Sequence, residues 1–287
     1  MERPQIIAVH ALTIEPLVRA ALAEDLGRAG DITSDAIIPA GARARGVLAA
    51  RKAGIVAGLD VAAAAFRLLD PGVQIELLRQ DGNAVDAQEA IAVVTGKARA
   101  LLSAERVALN FLCRLSGIAT ATRALVDAVA GHPVRICDTR KTTPGLRAIE
   151  KYAVRVGGGV NHRFGLDDGV LLKDNHIVVA GGIRAAVEKA RRSLGHMVKI
   201  EVEVDRLDQI GEALAAKADV IMLDNMTPAQ MREAVAMIGR RAVVEASGRI
   251  TAETAPAIAA TGVDVISAGW ITHSAPILDI GLDFERG

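Results

Sequence analysis

From residue 134 onward, six short apolar runs, 134–137, 169–172, 198–204, 220–223, 242–245 and 263–266, alternate with helical stretches. Two parallel strands of one sheet need a long crossover, which a helix supplies, so this alternation dictates a parallel α/β sheet. Such a sheet is doubly wound or rolled into a barrel, and a complete eightfold barrel would need two more units than the six present. The run Lys199-Ile-Glu-Val-Glu-Val204 separates the two cases. Side chains alternate along a strand, so Lys199, Glu201 and Glu203 are expected on one face and Ile200, Val202 and Val204 on the other. A doubly wound sheet covers both faces with apolar helices, where three charges would be costly to bury. A barrel lumen holding a polar ligand removes the conflict; a solvated edge strand is the alternative.

Ahead of this region, Thr13 followed by Leu17, Val18, Ala21, Leu22 and Leu26 and then Gly27 predicts a capped amphipathic helix. Short β-prone runs follow at 47–56, 73–78 and 91–94, with a helical stretch at 60–69, which together predict an α+β domain. A long helical segment over 98–129 is expected to break at Ser116 and Gly117. The domain boundary is placed there, giving 1–115 as the first domain and 116–270 as the barrel.

Each of the six predicted barrel strands ends in a polar or Gly-rich group: Asp138-Thr139-Arg140-Lys141, Lys173-Asp-Asn-His176, Glu203, Asp224-Asn225, Ser247-Gly248 and Ala268-Gly269. Parallel α/β folds bind ligands at the carboxyl ends of their strands, where loops and helix N-termini converge. Between Thr139 and Arg163, six basic residues, Arg140, Lys141, Arg147, Lys151, Arg155 and Arg163, face one acid, Glu150. Spacing by four allows Arg147, Lys151 and Arg155 to be a solvated helix stripe, but Arg140, Lys141, Arg163 and Lys173 fall at loops and strand ends, where they would attract an anion. Glu203 and Asp224 end successive strands and could bind Mg²⁺, contact sugar hydroxyls or stabilise a developing positive charge. Ser247-Gly248 and Gly269 have the look of a barrel phosphate site. His162, His176 and Asp174 lack compact zinc spacing.

Lys plus Arg equal Asp plus Glu at 34 each, so no global field draws the chain to nucleic acid or an anionic membrane, and six aromatic residues are too few for a base-stacking platform. Cys113 and Cys137 lack metal or redox spacing, and no window approaches the roughly 20 apolar residues of a membrane helix, so a soluble cytoplasmic protein is expected.

The strings Glu105-Arg106-Val-Ala-Leu-Asn110 with Ser116-Gly-Ile-Ala-Thr120, Thr139-Arg-Lys-Thr-Thr-Pro-Gly-Leu-Arg147, His162-Arg163, Lys173-Asp-Asn-His176, Glu201-Val-Glu203, Met222-Leu-Asp-Asn225 and Thr272-His273-Ser274 occur in one order along most of the chain. Together they resemble the quinolinate phosphoribosyltransferases. The resemblance implies an N-terminal α/β sandwich joined by the C-terminal tail 271–287, an open six-stranded α/β barrel, and a homodimer, or a higher oligomer built from it, with sites shared across the interface. It implies quinolinate and phosphoribosyl pyrophosphate as substrates, with Mg²⁺, in NAD biosynthesis. Quinolinate would be bound by Arg106 from the neighbouring subunit with Arg140, His162, Arg163 and Lys173; Thr139 and His273 belong to the same strings. Lys141 and Lys173 would take the pyrophosphate, Glu203 and Asp224 the metal and ribose, with Lys141, Glu203 and Asp224 the catalytic set. Ser247, Gly248 and Arg249 with Ala268, Gly269 and Trp270 would line the 5′-phosphate end, although Arg249 and Trp270 are larger than the family pattern leads one to expect. Three other readings remain: a related transferase with a different acceptor, such as the molybdenum-transport-associated relatives; a Schiff-base barrel lyase using Lys141, Lys173 or Lys199; and a noncatalytic anion-binding protein.

Overall fold

The computed structural model describes residues 6–284. In chain order its elements are α1 (Ala11–Leu26), α2 (Ile32–Ile37), β1 (Arg43–Ala50), β2 (Gly54–Ile55), α3 (Leu59–Leu69), β3 (Gln74–Leu77), β4 (Ala84–Val85), β5 (Ala90–Lys97), α4 (Ala98–Ala128), β6 (Arg135–Cys137), α5 (Arg147–Val156), β7 (Val170–Leu172), α6 (Asp174–Ala180), α7 (Ile183–Ser193), β8 (Ile200–Val204), α8 (Asp208–Ala215), β9 (Val220–Asp224), α9 (Pro228–Ile238), β10 (Val243–Ser247), α10 (Ala255–Ala259), β11 (Val265–Ser267), α11 (Trp270–His273) and β12 (Ile280–Phe284). They form two compact units: one takes the chain up to Arg123, Thr142–Gly158 and everything from Thr272 on, the other Ala124–Lys141 and Gly159–Ile271. The chain passes between them inside α4, and α5 is counted with the first unit although it follows β6 in sequence.

The first unit carries an antiparallel sheet in the order β12-β1-β5-β3. His10, not Thr13, caps α1: its backbone is extended and its Nδ1 accepts the Leu12 N–H at 3.1 Å, which leaves Thr13 inside the helix. The short α2 starts at Asp31, whose carboxylate accepts from Ser34 N–H at 3.0 Å and Ser34 Oγ at 2.6 Å. Helix α4 runs unbroken through Ser116 and Gly117. Ser116 Oγ accepts from Ala57 N–H at 3.0 Å and donates to Ala57 O at 3.2 Å, so the hydroxyl serves a neighbouring strand end instead of competing with the helix. Gly117 is small because the backbone of Pro276 and Ile277 lies where a Cβ would be. Both residues mark tertiary contacts, and neither ends the helix.

The second unit is a six-stranded parallel sheet in the order β6-β11-β10-β9-β8-β7. From β7 to β11 each strand lies beside its successor, without the reversal of order that a doubly wound sheet requires. Strand β6 returns beside β11, a single bridge joins Val160 to Cys137, and β6 does not pair with β7, so the barrel is open between them. The register Glu203↔Met222↔Glu245, with Asp224↔Ser247 and Cys137↔Ser267, puts Glu201, Glu203, Asp224, Glu245, Ser247 and Ser267 on the lumen face. Ile200, Val202, Ile221, Leu223, Val244, Ala246 and Ile266 alternate with them, all buried on the helix side. Each large aliphatic side chain so buried contributes about 1.5–3 kcal/mol. Lys199 departs from the expected charged face: it precedes β8, is 77% exposed and bonds Asp219 Oδ1 at 3.1 Å, since a flexible lysine at a strand start reaches solvent more cheaply than it enters the lumen.

Candidate active site

The loop after α5 is tied to the end of β6 by Asp138. This fully buried carboxylate accepts the His162 N–H at 2.9 Å and Asn161 Nδ2 at 2.6 Å, holding residues 161–163 against the strand. His162 Nδ1 accepts the backbone N–H of Arg163 at 2.8 Å, so the ring proton is on Nε2, which lies 2.9 Å from Glu201 Oε2 and 3.8 Å from Glu245 Oε1. Both ring nitrogens are thus engaged within the protein. Glu201 and Glu245 are only 6% and 4% exposed, and the Oε1 of each lacks a hydrogen-bond partner. Burial, followed by the charge of Glu201, pushes the Glu245 carboxyl up to about 7, against the opposing effect of His162.

Arg163 donates from Nη1 to Gly169 O at 2.8 Å. Burial and then the charge of Arg140 hold its guanidinium below the ordinary value. The Nε atoms of Arg140 and Arg163 are both buried without an acceptor. Two like charges with unsatisfied buried donors form a receptor for an anion, because charge-assisted hydrogen bonds would repay both deficits.

Along the strand ends, Thr139 Oγ1 accepts the N–H of the exposed Lys141 at 3.0 Å, and Lys173 Nζ lies 3.2 Å from Glu203 Oε2. Asp224 accepts from Asn225 Nδ2 at 2.7 Å, and the Asn225 N–H donates to Ser247 O at 3.0 Å. Gly248 has φ +112° and packs so tightly on Asn225 that a Cβ has no room; the exposed Arg249 continues the left-handed turn at φ +45°. Trp270 donates from Nε1 to Ile250 O at 2.8 Å, so the indole ties the loop after β10 to the end of β11. The buried Ala268 donates its N–H to Cys137 O at 3.0 Å, and Gly269 follows it.

The second unit therefore contains Thr139, Arg140, Lys141, His162, Arg163, Lys173, Glu203, Asp224, Ser247, Gly248, Arg249, Ala268, Gly269 and Trp270. Arg106, exposed on α4, and His273, whose Nδ1 lies 2.6 Å from Ser274 Oγ, belong to the first unit. The grouping of His162 with His176 and Asp174 is not formed: His176 Nδ1 accepts the Lys173 N–H at 3.0 Å at the start of α6. Among the described residues the metal-ligating types that do cluster are His162, Glu201 and Glu245, with ligand atoms within 4.8 Å of one another. Nor is the stripe on α5 a solvated face. Lys151 is 3% exposed, Arg147 Nε donates to Thr142 Oγ1 at 3.0 Å, and Arg155 donates to Ile7 O at 3.1 Å with its guanidinium 5.8 Å from the Tyr152 ring. Glu245 and Asp138 were not singled out as site residues from sequence. The signal for Glu245 lies in Val243-Val-Glu-Ala-Ser247, where a carboxylate interrupts a β-run as Glu201 does in β8.

Two family models cover the chain, quinolinate phosphoribosyl transferase N-terminal domain over residues 31–116 and C-terminal domain over 118–283. A Bacillus subtilis protein named probable nicotinate-nucleotide pyrophosphorylase (carboxylating) is 48% identical over 96% of this chain and 94% of its own length. The Mycobacterium leprae nicotinate-nucleotide pyrophosphorylase (carboxylating) is 45% identical over 93% of this chain and 95% of its own. The solved nicotinate-nucleotide pyrophosphorylase of Francisella tularensis superposes with a TM-score of 0.93 at 41% identity, covering 99% of this chain and 100% of that one. With both domain models matched in order and relatives this similar along almost its whole length, the chain belongs to the quinolinate phosphoribosyl transferase family.

Proposed function

We propose that this protein transfers the phosphoribosyl group of phosphoribosyl pyrophosphate to quinolinate with loss of CO₂ and pyrophosphate, forming nicotinic acid mononucleotide in NAD biosynthesis. The observation that carries the reading is the Arg140–Arg163 pair, two cations pressed together with buried N–H donors lacking acceptors. A pyridine dicarboxylate supplies the missing acceptors and the missing charge. The phosphorylated co-substrate carries several further negative charges, so repulsion between the two substrates must be screened before the ring nitrogen approaches the anomeric carbon. Lys141 and Lys173 serve that purpose on the pyrophosphate side, and the turn of Ser247, Gly248 and Arg249 with Ala268, Gly269 and Trp270 suits the 5′-phosphate end.

In the transfer, the bond from the ring nitrogen to the anomeric carbon forms as the bond to pyrophosphate breaks. Asp224 and Glu203 face the lumen from neighbouring strands and offset positive charge developing on the ribose. Their hard oxygen donors fit Mg²⁺ held mainly by substrate and water, which when bound would neutralise the leaving group. The cationic ring then accepts the electron pair left when CO₂ departs, and the carbon takes up a proton. No covalent nucleophile is needed. The exposed position of Lys199 and the ion pair of Lys173 with Glu203 disfavour a Schiff-base lyase. We further propose a homodimer in which Arg106 completes the neighbour's acceptor subsite.

Cys113 and Cys137 are buried and not joined in a disulfide, which suits the reducing cytoplasm, and no helix among the described residues is long and apolar enough to cross a membrane. Incubation with quinolinate, phosphoribosyl pyrophosphate and Mg²⁺ should release CO₂ and yield nicotinic acid mononucleotide. Pyrophosphate release with another acceptor but none with quinolinate would assign the chain to a related transferase instead.

A further inference from the structure

Beneath Arg163 the lumen holds a group of polar side chains that the transfer itself does not use. Glu201 comes from β8, Glu245 from β10 and His162 from the loop after α5, and all three meet within 4.8 Å. Strand β9 lies between their strands, with Val220 beside Glu201 and Met222 beside Glu245, while Ser267 approaches from β11 and Asp138 closes the β6 side. Each glutamate has one oxygen buried without a partner. Arg163 faces Glu201 and offsets its charge, but the imidazole, with its Nδ1 lone pair committed to the Arg163 N–H, brings no proton for Glu245, so a second ionised carboxylate at this depth would be repelled by Glu201. A proton kept on Glu245 resolves the charge.

We propose that Glu201 and Glu245, the two buried glutamates that meet His162, are positioning residues for the acceptor subsite, which hold His162 as its Nε2–H tautomer and thereby keep Arg163 aimed at the anion. The chain of causes runs through named atoms. Glu201 Oε2 accepts a hydrogen bond from Nε2–H, which keeps the ring proton there and leaves Nδ1 a lone pair, which accepts the backbone N–H of Arg163 and so fixes the start of its side chain. Without that order, Nδ1 becomes a donor and the Arg163 N–H loses its acceptor. The site is also pH-sensitive: as pH rises through about 7, Glu245 loses its proton, and the cluster it forms with Glu201, Asp138, Ser267 and His162, which meets the Arg163–Arg140 pair through Glu201, gains one negative unit. An extra negative charge beside the arginines competes with an anionic acceptor, so acceptor affinity falls.

The proposal rests on the Arg140–Arg163 reading, and Arg140→Ala and Arg163→Ala test that reading separately: if both bind quinolinate as the unmutated protein does, the acceptor subsite lies elsewhere, whatever the glutamates do. With the subsite secured, Glu201→Gln should raise the KM for quinolinate about tenfold and leave the KM for phosphoribosyl pyrophosphate within about twofold. The quinolinate KM of the unmutated enzyme should rise between pH 6 and 8, and Glu245→Gln, which keeps the neutral shape, should flatten that rise. ¹⁵N-detected NMR of His162 should show a protonated Nε2 and an unprotonated Nδ1, a readout that needs no variant to fold. Equal loss for both substrates, an unchanged pH profile in Glu245→Gln, a protonated Nδ1, or one equivalent of divalent metal bound by the purified protein and lost in Glu245→Gln would each overturn the proposal.

Discussion

Arg114 on α4 brings its guanidinium to 2.9 Å from the carboxylate of Glu150 on α5, and Glu150 is 0% exposed. The same carboxylate accepts from Thr143 N–H at 3.0 Å and Thr143 Oγ1 at 2.7 Å, while Arg114 also donates to the carbonyls of Thr272 and Ala275. Three separate stretches of the first unit are thus held at one buried ion pair. Removing one partner strands the other charge, so Glu150→Ala or Arg114→Ala should each cost roughly 3–5 kcal/mol in urea unfolding. The double variant should lose less than the sum of the two. Strict additivity would mean that the pair carries no coupling.

Gly117→Ala tests the contact between α4 and the tail. A methyl group there runs into the Pro276 carbonyl, which is backbone and cannot rotate away. The usual gain from replacing a helical glycine, about 1 kcal/mol, should therefore be reversed into a loss of roughly 2 kcal/mol or more. Thermal unfolding measures it, and a stabilised variant would show that the tail moves aside without cost.

Glu203 and Asp224 are legible because a strand pattern tells where a strand ends, and strand ends in a parallel α/β fold are where ligands sit. Ser116-Gly117 looks like a break because serine and glycine are poor helix formers, and only partners distant in sequence, Ala57 for Ser116 and the Pro276-Ile277 backbone for Gly117, account for them. Lys151 is buried although its spacing allows a solvated stripe, since a stripe at intervals of four says that residues share a face and not which face is wet. The meeting of His162 with Glu201 and Glu245 needs the register of three strands at once, which no local pattern encodes.

Glu245 makes stability fall with pH. Its carboxyl sits at about 7 in the folded chain against an ordinary 4.5, so between those values the native state keeps a proton that the unfolded chain has released. The native state binds more protons there, so stability declines across that window and levels off above it. Glu245→Gln does not titrate, and its stability relative to the unmutated protein should improve from pH 5 to pH 7.5 by roughly 1–3 kcal/mol. A constant difference at every pH would place the glutamate's proton elsewhere.

Asp224→Asn and Glu203→Gln remove charge with little change of shape. Each should slow turnover by an amount equivalent to roughly 2–4 kcal/mol of transition-state stabilisation, with a small change in melting temperature. Chelation of divalent ions should abolish turnover in the unmutated enzyme. Full activity of either variant in Mg²⁺ would remove that carboxylate from the transfer step.

The last prediction concerns Arg106, which lies in the first unit while Lys141 lies in the second. If Arg106 serves the barrel of a neighbouring subunit, Arg106→Ala and Lys141→Ala proteins are each inactive alone but complement each other when mixed. A mixed dimer then has one site with both lesions and one with neither. Random exchange makes about half of the dimers mixed, and one of the two sites in each is intact, so activity should recover toward roughly a quarter of the unmutated site number. Exchange should be verified independently, by mass-tagged subunits under the same conditions. Verified exchange without recovered activity would mean that Arg106 acts on its own subunit's barrel or takes no part in the reaction.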